Sequence, residues 1–317
     1  MSNNRARPIF DAVRAGCDCN ACPLGDTDKR QGPPVGPEVK PGAKLLIIGQ
    51  EPSRADHASC QPFSGSAGME LNRVLAAAGL TRAQVNLTNL VACSPKDKGG
   101  IDAFMLRRKS INAKRTKTHA KKVKEATVVA KRERKEWWKL ASKEQRDQYI
   151  LKQVGELRLQ PSPIACCAGR LRREVAKESN GSVITLGRYA AHSLLNTHAS
   201  IIELRGATEA SSVEATWRNG SKTSHQIKVV PTYNFSLVMR ERHLRWVVEQ
   251  DLKKALRYFS NSLDWIDTDA ANRTVYQPSL GQIEHYLFKQ RPSPDRWVYD
   301  WETTKHDSLA VDPKCLG

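Results

Sequence analysis

Apolar residues fall in short runs separated by polar loops. Residues 44–49 (KLLIIG) form a continuous apolar run bounded by Pro41-Gly42 and by Gly49, the pattern of a buried parallel strand. Residues 67–78 (AGMELNRVLAAA) instead place Leu71, Val74 and Leu75 at helical spacing, with Gly79 suited to the C-cap. The alternation continues with strands at 85–90 (VNLTNL), 182–186 (SVITL) and 227–231 (IKVVP), and with helices at 188–195 (RYAAHSLL) and from about 242 to 259. Strand alternating with helix predicts an α/β fold: a three-layer α/β/α domain around a central four-stranded parallel sheet. Such sheets take their ligands at the carboxyl ends of the strands. No run approaches the ~18 apolar residues that a membrane span needs.

Charge adds a second feature. Lys and Arg number 51 against 33 Asp and Glu in 317 residues, a net charge of +18 that favours a polyanionic partner, nucleic acid first. Twelve of those eighteen charges fall within residues 96–158, which contain no proline and many helix formers. This stretch reads as a basic insertion of one or two exposed helices, either a solvated arm or a contact for the DNA backbone. The N-terminus (MSNNRARPIF) lacks the apolar core of a signal peptide, so a cytoplasmic location is expected. Composition divides the chain into a domain over 1–260, a polar, Pro-bearing linker over 261–295 and a short segment over 296–317 that opens on a strand (WVYDW).

Eight cysteines in a reducing compartment point to thiolate metal ligation rather than to a disulfide framework. Cys17, Cys19 and Cys22 crowd into six residues, and the C-x-x-C of Cys19 and Cys22 brings two thiolates to one centre. Cys93 follows the second strand, and Cys166 and Cys167 precede the third. Zinc and iron-sulfur clusters both take four such ligands. Cys60 and Cys315 read as bystanders.

The motifs C-x-x-C-x-L (Cys19, Cys22, Leu24), G-x-x-P (Gly49, Pro52) and P-F-x-G-x-A-G (Pro62, Phe63, Gly65, Ala67, Gly68) come in that order. T-N-x-V-x-C-x-P (Thr88, Asn89, Val91, Cys93, Pro95) and L-G-x-x-A (Leu186, Gly187, Ala190) follow. Together they resemble family-4 uracil-DNA glycosylases over about residues 15–258, with the basic insertion interrupting the match. The resemblance implies a 4Fe-4S cluster on Cys19, Cys22, Cys93 and Cys167, the last preferred over Cys166 by its distance to Leu186-Gly187. More than seventy residues separate Cys93 from Cys167, where the family has far fewer.

Removing a base from DNA requires flipping it from the stack, gripping its face and edge, and supporting a cationic sugar while the base leaves as an anion. The resemblance gives Phe63 the stacking role and Asn89 the reading of the uracil edge. The first loop, Gly49-Gln50-Glu51-Pro52-Ser53, is closer to the G-Q-D-P of the main uracil-DNA glycosylase family. That likeness makes Gln50 a substrate contact and Glu51 the carboxylate that orients water and steadies the sugar, with Asp56 as the alternative. In the last loop Asn234 stands where the family has His, a donor to the uracil O2, while mismatch-specific glycosylases have Asn there. Leu237, Val238 and Met239 form either an apolar wedge or a helix cap packed in the core, with Arg240 and Arg242 beside them for phosphates.

The segment Asp300-Trp301-Glu302-Thr303 resembles the first motif of DnaQ-like 3′-5′ exonucleases attached to family-A DNA polymerases. It implies the front of a phage polymerase, truncated or encoded as a split gene, with DNA and a replicative polymerase as partners. Two functions are expected: a DNA glycosylase acting on uracil, or a weakened glycosylase fold that binds uracil or DNA for a polymerase. Asn234 separates them.

Overall fold

The computed structural model describes residues 10–260, residue 97 excepted; the linker, the exonuclease-like motif and Cys315 lie outside the described residues. Among the described residues five strands form one sheet: β1 (Leu45–Gly49), β2 (Val85–Asn89), β3 (Ser182–Leu186), β4 (Glu209–Thr216) and β5 (Lys222–Thr232). Their order is β2-β1-β3-β5-β4. The four strands expected from the apolar runs pair in parallel, with Leu45 opposite Val85 and Ser182, and Ser182 opposite Lys228. The fifth, β4, runs antiparallel to β5 at the edge. Its sequence, EASSVEAT, buries only Val213 and Ala215, too weak an alternation to stand out from a polar loop.

The described residues form eleven helices: α1 (Ala12–Ala15), α2 (Arg54–Ser59), α3 (Ser66–Ala77), α4 (Gly100–Glu133), α5 (Lys135–Leu140), α6 (Lys143–Val154), α7 (Pro163–Glu178), α8 (Arg188–Leu195), α9 (Ile201–Leu204), α10 (Phe235–Arg240) and α11 (Leu244–Phe259). Because side chains alternate across a strand, β1 feeds two cores. Leu45 and Ile47 join Leu71, Val74 and Leu75 of α3 and Val248, Leu252 and Phe259 of α11. Leu46 and Ile48 join Leu171 and Val175 of α7, Ala190 and Leu194 of α8, and Ile101 of α4. These are the two outer layers of an α/β/α sandwich. Among the described residues no helix is long and apolar enough to cross a membrane.

The basic insertion is more helical than expected and starts later. Its 34-residue helix α4 is followed by the shorter α5 and α6. The first two turns of α4 belong to the main domain, since Ile101 is fully buried and Phe104 and Met105 pack on the α7 side of the sheet. Beyond them α4 leaves the body and pairs with α6. There Arg134 lies over Trp137 and Tyr149, and Arg146 over Trp138.

Candidate active site and cysteine cavity

The four parallel strands end at one place, and each contributes a residue there. A methyl group on Gly49, at the end of β1, would lie 2.3 Å from Asn89 Oδ1 and 2.5 Å from Phe63 Cζ, so the carboxamide closing β2 and the ring of Phe63 both press on this glycine. A methyl on Gly187, after β3, would lie 3.0 Å from Asn234 Cβ and 3.6 Å from Gln50 Oε1. Gln50, Phe63, Asn89 and Asn234 therefore surround Gly49 and Gly187, whose missing side chains leave room for them. The carboxamide of Asn89 has no protein partner among the described residues, although the residue is buried.

Phe63 reaches this place in a left-handed backbone conformation, φ +53°, costly for an aromatic residue. Two contacts hold it. Gly68 approaches so closely that a methyl there would lie 1.7 Å from the Phe63 carbonyl oxygen. Arg82 donates to the carbonyls of Pro62 (2.7 Å) and Phe63 (2.9 Å) while pairing with the buried Glu38 at 2.6 Å. Glu38 also accepts from Gln61 and pairs with Lys40. Burial alone would raise its carboxyl pKa, but the hydrogen bonds of Arg82, Gln61 and Lys40 outweigh burial and hold it at about 2.

Glu51 lies at the start of α4. Its carboxylate accepts the Ile101 backbone N–H at 2.9 and 3.0 Å. Burial raises its pKa to about 7 against the lowering effect of that N–H, and neighbouring Asp102 adds to the rise. Gly100 makes the contact fit, since a methyl there would lie 2.1 Å from Glu51 Oε1, at φ +56°. Asp102 accepts from Gln50 Nε2 at 2.8 Å and pairs with Arg188 at 2.6 Å. Asp56, the alternative carboxylate, is committed to its own loop: it caps α2 through Ser53 N and accepts from Ser64 N and Oγ.

Asn234 is the N-cap of α10. Its Oδ1 accepts from Ser236 N at 2.7 Å and Leu237 N at 3.3 Å, and from the Ser236 hydroxyl. The acceptor side of the amide is thereby fixed on the helix, and Nδ2 is turned toward Gly187. Of the three residues read as an apolar wedge, Val238 is a core residue at 1% exposure, Leu237 is half-buried and packed on the core, and only Met239 is exposed. Arg240 and Arg242 are exposed.

Six cysteines, Cys17, Cys19, Cys22, Cys93, Cys166 and Cys167, line one small cavity with Leu24, Val91 and Pro163. The four expected ligands are thus brought together, and two more join them. Cys17 Sγ donates to Cys167 Sγ at 3.7 Å. That hydrogen bond, aided by Arg170, pulls the Cys167 thiol down, while the same pairing and burial push Cys17 up. Asp18 N–H donates to the Cys166 carbonyl at 2.8 Å, tying the N-terminal segment to α7. Cys60 stands apart, closing α2. Among the described residues no three Cys, His, Asp or Glu stand close enough to share one metal ion. The donor set, soft thiolates in an apolar cavity, fits an iron-sulfur cluster, whose irons each take one thiolate and so spread the ligands wider than a single ion does.

Arg170, fully buried, joins the two sites. It donates to the carbonyls of Asn89 (2.6 Å) and Leu90 (2.9 Å) and to Thr88 Oγ1, and pairs with Glu174 at 2.6 Å. The strand end that presents Asn89 is so fastened to the helix that carries Cys167. The sequence pattern singled out none of Arg82, Glu38, Arg170, Asp102, Gly100 and Arg188, and only the Leu-Gly before Arg188 gave a signal.

The family model of the uracil DNA glycosylase superfamily matches residues 37–260. A type-4 uracil-DNA glycosylase of Archaeoglobus fulgidus is 36% identical over 87 residues, which are 27% of this chain and 42% of that protein. Another, of Pyrobaculum aerophilum, is 36% identical over 78 residues, 25% of this chain and 38% of that protein. The matched segments thus span about two fifths of the relatives' length.

Proposed function

This chain belongs to the uracil DNA glycosylase superfamily, and from that premise we propose that it hydrolyses the N-glycosidic bond of uracil in DNA, leaving an abasic site. The convergence of Gln50, Glu51, Phe63, Asn89 and Asn234 on the carboxyl ends of four parallel strands carries the reading. Phe63, held in its strained conformation, stacks on a flipped pyrimidine, and the unpartnered Asn89 amide donates to and accepts from its edge. Glu51, once ionised, steadies the sugar cation and orients the attacking water. The Asn234 amide N–H, aimed by its own capping bond, donates to uracil O2 as negative charge develops there.

The cavity cysteines are proposed to hold a 4Fe-4S cluster through Cys19, Cys22, Cys93 and Cys167. When bound, such a cluster supplies a structural clamp between the N-terminal segment, the end of β2 and α7. The likeness of residues 297–304 to an exonuclease motif supports a further part of the proposal, that the domain works in the cytoplasm beside a DNA polymerase, in the same polypeptide or as a partner.

The decisive experiment incubates the protein with uracil-containing oligonucleotides and scores alkali-labile sites under single-turnover conditions. Cleavage at uracil alone supports the proposal. Preferential binding of uracil-containing strands without cleavage would replace it with the binding-module reading.

A further inference from the structure

The long helix α4 carries its charge in a pattern. Arg107, Lys114, Lys117, Lys121 and Lys124 follow one another at intervals of seven, three, four and three residues, which keeps them on one face of the helix. All five are exposed, and at 1.5 Å per residue the stripe extends about 25 Å. The opposite face is the one that packs. Arg108 donates to the Gln160 carbonyl at 2.7 Å, Asn112 exchanges hydrogen bonds with Gln160, His119 meets the Gly155 carbonyl at 2.8 Å, and Ala130 is buried. On the stripe itself Lys121 meets Glu125 at 3.8 Å.

A solvated helix usually mixes its charges so that opposite signs lie at i,i+4. Lys114, Lys117, Lys121 and Lys124 in a row, beyond Arg107, raise the local potential instead, and that disposition is repaid where a line of negative charge lies against it. Duplex DNA presents such a line, one charge per ~1.7 Å of its axis. The helix also begins at the candidate active site, where Ile101 N–H meets Glu51, and runs outward from it. We propose that this stripe is a docking surface for the phosphate backbone of DNA, which lengthens the footprint beyond the nucleotide held in the pocket. Phosphate contacts of this kind position DNA without reading its sequence. The choice of DNA rests on the glycosylase reading, but the test below reads binding alone and is independent of excision.

The full chain carrying Arg107→Gln, Lys114→Gln, Lys117→Gln, Lys121→Gln and Lys124→Gln is compared with the unchanged protein for binding to a uracil-free duplex at several salt concentrations. Loss of five phosphate contacts should reduce the steepness of log affinity against log salt by about 4.5. A second variant with Lys114, Lys117, Lys121 and Lys124 all changed to Arg keeps the charge and should keep the slope. An unchanged slope in the glutamine variant overturns the proposal and leaves the stripe to a different partner. Equal loss in the arginine variant overturns it as well, because the effect would then come from damage to the helix.

Discussion

Arg82 donates to the carbonyl oxygen of Phe63 at 2.9 Å, a contact between residues 19 positions apart that holds the aromatic ring of the candidate site in a left-handed backbone conformation. The same guanidinium, half-buried, pairs with the buried carboxylate of Glu38. Replacing Arg82 by Ala removes the clamp and leaves Glu38 to Gln61 and Lys40. Breaking such a pair costs about 3 kcal/mol, and a displaced ring lowers excision by about 100-fold. Arg82→Lys should recover more of the stability than of the excision, since an ammonium cannot span both carbonyls and Glu38. Chemical denaturation and single-turnover excision, measured on both variants, check this.

Glu38 and Glu51 make opposite contributions to stability as pH changes. The carboxyl of Glu38 is held at about 2, below its usual 4.5, so its contribution is present above pH 4.5 and lost as pH falls toward 2. That of Glu51 is raised to about 7, so the folded state holds its proton longer than the unfolded state does, and stability declines as pH rises from 4.5 through 7. Function runs the other way, because only the ionised Glu51 steadies a sugar cation. Excision should rise about tenfold for each pH unit below 7 and level off above it. Glu51→Gln should flatten that profile, lower the rate at pH 8 and raise the melting temperature there. A pH profile with the same inflection in both proteins would remove Glu51 from the chemistry.

Gly100 tests the same carboxylate from the other side. Its φ of +56° and the 2.1 Å that would separate an added methyl from Glu51 Oε1 leave no room for a side chain. Gly100→Ala should turn Glu51 away from the Ile101 N–H and lower excision by about 100-fold. DNA affinity, carried by phosphate contacts elsewhere, should change little.

The cysteine cavity makes an analytical prediction. Protein purified without oxygen should be brown and contain iron and acid-labile sulfide in equal amounts, about four of each per chain. Cys19→Ser, Cys22→Ser, Cys93→Ser or Cys167→Ser should each lose iron and lower the melting temperature, while Cys60→Ser should do neither. Retention of iron in Cys167→Ser together with its loss in Cys166→Ser or Cys17→Ser would reassign the fourth ligand.

The sheet was legible because β1, β3 and the C-terminal half of β5 are mostly buried and read as short apolar runs, while β2, VNLTN, alternates apolar residues with polar ones that are buried too. Gln50, Glu51, Asn89 and Asn234 were legible as well, since they directly follow or close those runs. What the sequence hides is the set of residues that hold them. Arg82 meets Glu38 across 44 positions, Gln50 meets Asp102 across 52, and Arg170 meets Thr88 across 82. No periodicity encodes pairs so distant. The edge strand β4 was hidden for a different reason, its small and polar residues leaving only two positions to face the core. The insertion was recognised by charge, but charge could not show that its first two turns, Ile101 and Asp102 above all, are part of the site. Removing residues 96–158 would therefore take away the partners of Glu51 and Gln50 along with the arm.

Asn234 does two things at once, and substitutions can separate them. Its Oδ1 caps α10, worth about 1 kcal/mol, and its Nδ2 lies beside Gly187, 3.7 Å from where a methyl there would sit. Asn234→Asp keeps the capping oxygen but replaces the donor with a carboxylate facing the leaving anion. Stability should be unchanged, and excision should fall by 10²-fold or about 10³-fold. Asn234→His exchanges the capping oxygen for a ring that is a stronger donor when protonated. It should cost about 1 kcal/mol in stability and raise excision of uracil, most clearly below pH 7, where imidazolium forms. Melting curves and single-turnover rates on the two variants decide the matter together. Equal excision in Asn234→Asp and the unchanged protein would show that this amide only caps the helix, and the donor to the departing base would have to be sought elsewhere, with Gln50, also beside Gly187, the first to test.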